Sequence, residues 1–365
     1  MRAALTGFRE SVAQLRQHLE GIGLEWELVA SARSPEHCSP RDLVAYRLQE
    51  HVGAGVWKRI FDYNSTIISL YGSLERYVDE LIRGYLRRAS AVVAKYGDLP
   101  DALRGTHLQG TLTLINRVEQ RRFRGTLSIE SLVSNLHSCL SGMSPYRLNL
   151  EAFVLRAANY RAEVIAEAFR KIGVADVLKR LPLHDPLAAY FADKYQGEIP
   201  ASATSSDLYY YLDDLTERRN DVSHGTVSEL LSADLLGEYL NFIEKCAEAL
   251  FELVYSESMV YEIPHRAVEL GNPIQIFNDS IVCFGLENVR VTVGDELVAR
   301  TTDPLRPFKV GPIVEIQVEN QSVETVDAQS LTKVALRIEY KAKPKNTFAL
   351  LQASSHTRDE VLGAT

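Results

Sequence analysis

Within Arg218-Arg219-Asn220-Asp221-Val222-Ser223-His224 stand two guanidinium groups and an imidazole, with Gly225 next in the chain. A guanidinium can bind a phosphate through two parallel hydrogen bonds. An imidazole gains and loses a proton near neutral pH. Together they are the least a protein needs to cleave RNA without a metal: Arg219 would hold the scissile phosphate and the extra charge of its transition state, and His224 would move the proton. The attacking group would be the ribose 2′-hydroxyl, so the products would be a 2′,3′-cyclic phosphate and a 5′-hydroxyl, and DNA would not be cut.

Geometry restricts this reading. Residues five apart on a regular helix point about 140° away from each other, at roughly 100° per residue, so Arg219 and His224 do not converge from a straight helix. A break is required, and Gly225 at a left-handed cap position is a candidate for it. One histidine also cannot act as acid and base at the same moment, whereas a twofold dimer would supply a second. A plainer alternative stays open, in which Arg219 and His224 merely interact with the last carbonyls of a helix. Shorter pairs of the same kind, Arg33/His37, Arg47/His51 and Arg180/His184, are read as polar groups at the surface.

The elements that must position this motif are mostly helical. Of 365 residues, 46% are hydrophobic, enough for a substantial core and two or three domains. The period up to about residue 257 is that of helices, clearest where Ile67, Tyr71, Leu74, Val78, Leu81 and Tyr85 recur over 63–88. Further helices are expected at about 5–20, 41–60, 101–123, 128–140, 149–171, 184–194, 205–222 and 228–255, with helix starts at Ser39-Pro40-Arg41-Asp42 and Thr204-Ser205-Ser206-Asp207. Beyond about 258 the segments are short and β-branched: 274–277, 280–284, 289–293, 313–318 and 334–340. Asn278-Asp279 and Gly294-Asp295 mark turns between them, which suggests a small barrel or sandwich.

The net charge of −8 argues against a general nucleic-acid coat, so RNA binding needs a local basic site. Arg117, Arg121, Arg122 and Arg124 around Phe123 form one candidate, and Arg83, Arg87 and Arg88 another; a solvated helix face is the plainer reading of each. Cys38, Cys139, Cys246 and Cys283 form no CxxC pair and read as reduced thiols. His37-Cys38 lacks a second ligand pair, so no metal and no cofactor are expected. No apolar run is of membrane-spanning length and the first residues lack the apolar core of a secretory signal, so a cytoplasmic location is expected.

The run Arg219-Asn220-Asp221-Val222-Ser223-His224-Gly225, between a helix and a long apolar helix, resembles the R-N-x-x-x-H-G signature of HEPN domains. Tyr71 and Glu75, an aromatic one turn before a glutamate, are similar to the first core helix of prokaryotic stand-alone members. The resemblance covers about 55–256. It implies an all-α bundle, commonly dimeric, and a metal-independent endoribonuclease of toxin–antitoxin or antiphage systems. It also implies catalytic roles for Arg219 and His224, an orienting role for Asn220, and support from Arg218, Glu75 and Tyr71. The stretch from Phe284 to Val298, with 314–318 and 334–338, looks like the second-domain β-barrel of translational GTPases, a binding platform, although no GxxxxGK[ST] occurs.

An α+β multidomain chain is therefore expected. Its parts would be a helical extension over 1–54, a HEPN-like bundle over 55–257, a β-barrel or sandwich over 258–350 and a tail over 351–365. Its expected partners are RNA, a second copy of itself and a separate antitoxin or regulator, with no membrane. Two rival functions remain: a noncatalytic HEPN scaffold binding RNA, nucleotide or protein, and an adaptor acting through the β module.

Overall fold

In the computed structural model, residues 1–31, 40–52, 56–121, 123–155, 158–226 and 229–352 are described. They form helices followed by antiparallel strands, and they divide into two compact units: residues 1–82, 156–170 and 175–251, and residues 83–155, 171–174 and 252–365.

The first unit is helical. Helix α1 (Arg2–Ala30) buries Leu5, Phe8, Val12, Leu15 and Leu19, a stripe at three- and four-residue steps. Helices α2 (Pro40–Val52) and α3 (Val56–Val92) follow, and α3 buries Ile67, Leu70, Leu74 and Val78. Short helices α6 (Ala162–Arg170), α7 (Val177–Arg180), α8 (Asp185–Lys194) and α9 (Ser205–Leu208) lead to α10 (Tyr210–His224) and the long α11 (Ala233–Arg266). Ion pairs from Arg9 to Glu248 and from Arg16 to Glu244 fasten α1 along α11. The Tyr77 hydroxyl of α3 donates to the carbonyl of Ala247 at 2.7 Å. Thr204 and Asp207 form a reciprocal capping box at the start of α9, as their spacing suggests; Ser39 lies outside the described residues.

The second unit holds α4 (Asp101–Ile115), α5 (Ile129–Leu140) and the strands. Strands β1 (Val268–Gly271), β10 (Thr347–Leu351), β5 (Glu296–Arg300), β6 (Phe308–Val318), β9 (Thr332–Ile338), β3 (Ile281–Leu286) and β2 (Gln275–Phe277) are hydrogen-bonded in that order. Strand β7 (Gln321–Val323) pairs with β6, and β4 (Val289–Thr292) pairs separately with β8 (Thr325–Ala328). With β1 and β2 at its edges, this is an open half-barrel around Phe284, Leu297, Ile316, Leu336 and Phe348. Asn278 and Asp279 take positive φ at the β2–β3 bend, where the sequence marks a turn.

Several segments depart from the sequence reading. The expected helix over 149–171 is instead a 3₁₀ turn at Leu150–Phe153, a loop and α6. The helix expected over 101–123 ends at Ile115. The last long helix runs to Arg266 where its apolar pattern suggested about 255, and the first strand accordingly begins at Val268.

Candidate active site

The motif occupies the end of α10. Gly225 takes the left-handed conformation at φ 71°, and the N–H groups of Gly225 and Thr226 donate back to the carbonyls of Val222 and Asp221. These two bonds form the helix-terminating pattern that favours glycine. The helix is regular through His224, so the break lies beyond the pair and not between its members. Within one chain Arg219 and His224 therefore leave the helix about 140° apart and roughly 7 Å apart along its axis.

Each side chain has a distinct environment. The Arg219 guanidinium lies over the ring of Tyr71, with its carbon 5.2 Å from the ring centroid, and one of its N–H groups donates to the amide oxygen of Asn220 at 3.3 Å. It is half-buried, which leaves further donors for a ligand. His224 is exposed and has no hydrogen-bond or ion-pair partner among the described residues. The Asp221 and Val222 carbonyls accept from backbone N–H groups and the Arg219 carbonyl from the Ser223 hydroxyl at 2.8 Å, while neither the Arg219 nor the His224 side chain bonds a carbonyl of the helix end. The plainer alternative, with both side chains serving the helix end, does not describe this geometry.

Arg218 faces a different set of groups. Its guanidinium donates to Asp214 at 2.5 Å, to the Tyr63 hydroxyl at 3.3 Å and to the Tyr239 hydroxyl at 3.4 Å. Burial alone would make this charge harder to hold, yet the bonds to Tyr63, Asp214 and Tyr239 outweigh it and place its pKa above the usual guanidinium range. Burial and then the Asp214 carboxylate push the Tyr239 phenol up. Arg218 therefore joins α10 to α3 and α11.

A loop that the sequence reading took for helix holds these parts in register. The Tyr160 N–H donates to the Tyr71 hydroxyl at 2.8 Å, and the Tyr160 hydroxyl donates to Asp79 at 2.8 Å. Its carbonyl accepts from Thr216 on α10 at 2.8 Å. Tyr160, Thr216 and Tyr71 are all buried, so these bonds are costly to lose. One residue earlier, the Asn159 amide donates to the Asn220 side chain at 2.7 Å, and Asp213 of α10 accepts from the Ala162 N–H that opens α6. Tyr71 thus sets the plane on which Arg219 rests, and Asn159 fixes the amide of Asn220. Arg161, exposed, follows on the same loop. Glu75, one turn beyond Tyr71, is half-buried.

Asn159 and Tyr160 carry no local signal in the sequence, because their partners are set by tertiary structure. The acidic pair Asp213-Asp214 in a helix otherwise read for its arginines was the available signal.

The other basic candidates belong to the second unit. Arg117, Arg121 and Arg124 are exposed on turns, not on a helix, around a Phe123 that is buried with Leu114 and Leu132. Arg122 lies outside the described residues. Arg83 pairs with Glu151 and Arg88 with the buried Glu262, so these two are internal rather than solvated. Arg180 and His184, expected at the surface, are buried. Cys139 and Cys246 are buried free thiols and Cys283 is half-buried; His37 and Cys38 lie outside the described residues. Among the described residues no group of three or more His, Cys, Asp or Glu is placed to hold a metal, and no helix is long and apolar enough to cross a membrane.

A family model described as RiboL-PSP-HEPN matches residues 57–256, which span α3 to most of α11 and include every residue of the motif. No curated protein and no solved structure matches the chain.

Proposed function

The chain belongs to the RiboL-PSP-HEPN family, a nuclease and RNA-related group, and from that premise we propose that it is a metal-independent endoribonuclease whose site is shared by two copies of the chain. The observation that carries the proposal is the environment of Arg219: a guanidinium held over Tyr71 and braced by Asn220, with donors left over, close in sequence to an exposed imidazole at a helix end.

Arg219 grips the phosphate and stabilises the charge that builds on it as the 2′-oxygen attacks. One His224 removes the 2′-hydroxyl proton, and the His224 of the second copy protonates the departing 5′-oxygen. The bond formed is phosphorus to 2′-oxygen and the bond broken is phosphorus to 5′-oxygen, so the reaction consumes no water and leaves a 2′,3′-cyclic phosphate. Two copies are needed because one α10 aims the two side chains apart, and because acid and base act on opposite sides of the phosphate.

The substrate is cellular RNA, tRNA among the candidates, and the biological role is that of a toxin or antiphage effector restrained by a separate antitoxin or regulator. The test is incubation of the purified protein with total RNA in EDTA, with the ends mapped. Cleavage leaving cyclic phosphates, lost in His224→Ala and in Arg219→Ala and not regained when the two variants are mixed, since the mixed dimer keeps a single His224, is the expected result. Intact RNA together with binding that survives His224→Ala would replace this reading with a noncatalytic RNA-binding role.

A further inference from the structure

The eight residues from Arg117 to Arg124 hold four arginines and one acid, Glu119, in a chain whose net charge is −8. They lie in the second unit and join α4 to α5, whereas the motif on α10 belongs to the first. On a continuation of α4 their charges would merely solvate a helix face, but that helix ends before them at Ile115.

The segment is a chain of turns. The N–H groups of Arg117, Gln120, Phe123 and Thr126 donate to the carbonyls three residues back, those of Leu114, Arg117, Gln120 and Phe123, at 2.9 to 3.1 Å. Val118 and Phe123 are buried, Phe123 against Leu114 and Leu132. The chain reverses at Gly125, with φ 81°, and Ser128 then caps α5. A guanidinium N–H of Arg124 donates across the turn to the carbonyl of Glu119 at 3.2 Å. Backbone bonds and two apolar anchors thus fix the turn, while Arg117, Arg121 and Arg124 stand exposed on it.

Other arginines of the chain are neutralised where they stand. Arg83, Arg88, Arg218, Arg300 and Arg337 each rest on a carboxylate. Arg117, Arg121 and Arg124 have no carboxylate partner among the described residues. Guanidiniums gathered on one short turn repel one another, so a fold that leaves them without acids keeps an excess of positive charge at a fixed place. The planar fork of arginine matches a phosphate group. Several forks in succession suit a polymer of phosphates, and a turn already held by its own backbone lowers the ordering cost of binding.

We propose that the turn 117–124 grips the sugar-phosphate backbone of RNA, as a contact additional to that of Arg219 with the scissile phosphate. The inference rests on the ribonuclease reading above and adds to it the place where the rest of the strand is held. Turn and motif are parts of one chain, so an RNA bound by the first is offered to the second at raised effective concentration. Phosphate contacts carry no base preference, so the turn supplies affinity and leaves the cleavage position to the surroundings of the motif.

The experiment follows binding of fluorescent polyuridylate by anisotropy at several salt concentrations, with the full chain in a His224→Ala background so that the probe stays intact. That background is compared with the same protein carrying Arg117→Gln, Arg121→Gln and Arg124→Gln. A control carries Lys341→Gln, Lys343→Gln and Lys345→Gln, which removes as many exposed cations from the same unit. The arginine triple variant is expected to bind about a hundredfold more weakly at about 0.1 M salt, and its slope of log affinity on log salt to be shallower by about two, at roughly 0.7 per phosphate contact. The lysine control is expected to bind as the background does. Arg117→Gln with Arg121→Gln alone, which keeps the Arg124 bond to the Glu119 carbonyl, should show about two-thirds of the slope change. Equal slopes in the background and the arginine triple variant, or equal losses in the arginine and lysine variants, would overturn the inference. Polyglutamate displacing the RNA at equal concentration of charge would overturn it too, giving the turn to an acidic protein. Weakened binding by the arginine triple variant, with no cleavage of total RNA by the wild type, would sink the catalytic reading and keep the turn. Wild-type cleavage with unchanged slopes would sink the turn alone.

Discussion

Adjacent arginines at the end of α10 have separable tasks. Arg219 stacks on Tyr71 and keeps donors for a ligand, while Arg218 is taken up by Asp214, Tyr63 and Tyr239. Arg219→Lys keeps the charge but loses the planar fork and the stacking, so cleavage is expected to fall about a hundredfold with the melting temperature unchanged. Arg218→Ala should do the reverse first: it strands the half-buried Asp214 carboxylate and two buried phenols, for a loss of about 1–3 kcal/mol in denaturant unfolding. Arg161→Ala is expected to weaken RNA binding evenly across sequences and to lower the salt dependence by about one phosphate contact, read from affinities at several salt concentrations. At this scale the motif was legible because Arg, Asn, His and Gly at fixed spacing are local facts. Asn159 and Tyr160 were not, because what makes them matter is the pairing of a loop with Asn220, Asp79 and Tyr71 far along the chain.

Elements carry the motif through two features, the stop at Gly225 and the Tyr160 loop. Gly225 sits at φ 71°, where a Cβ is strained even though nothing lies within 4 Å of it. Gly225→Ala is therefore expected to cost about 1 kcal/mol and to loosen the end of α10, seen as faster amide exchange at Ser223 and His224 before any global unfolding. Tyr160→Phe removes a donor to the buried Asp79, with a loss of about 1–3 kcal/mol, while the backbone N–H that holds the Tyr71 hydroxyl stays, so cleavage at a temperature well below melting is expected to hold. Helical periodicity finds α5 and α8 near their true bounds and the middle of α3, whose first turn falls within the helix expected over 41–60. It failed at 149–171, where a helical apolar pattern is divided by the loop that bears Tyr160. Among strands the alternating β3 and β9 were legible, whereas β5 and β10 were not: their residues are buried on both faces, so the alternation by which a half-buried strand is recognised is missing.

For the chain as a whole, the switch from helices to strands was visible in the sequence, but its position was not, since α11 carries past Pro264 to Arg266. Part of what holds it there is the pairing of Glu262 with Arg88, whose guanidinium also lies 4.7 Å from the centre of the Tyr255 ring. Tyr255 in turn donates to Glu296 of β5, so polar groups buried among helix ends and a strand join segments distant in sequence. The same unit contains a fully buried histidine. His107 stacks on Phe153, accepts the Asn149 N–H at 2.9 Å through Nε2 and meets the Tyr96 hydroxyl through Nδ1. Burial pushes its pKa down to about 4 from 6.5. Between those two values the unfolded chain binds a proton at this position and the folded chain does not, so unfolding gains from acid. The stabilisation is fully present above about pH 6.5 and is lost as pH falls toward 4, amounting to on the order of 3 kcal/mol across the window. Unfolding of the wild type should therefore become steeply easier from pH 6.5 to 4, and His107→Gln, though less stable at pH 7.5, should show a shallower slope over the same range. Equal slopes in the two proteins, measured by denaturant titration at each pH, would mean that acid acts on the fold through other groups.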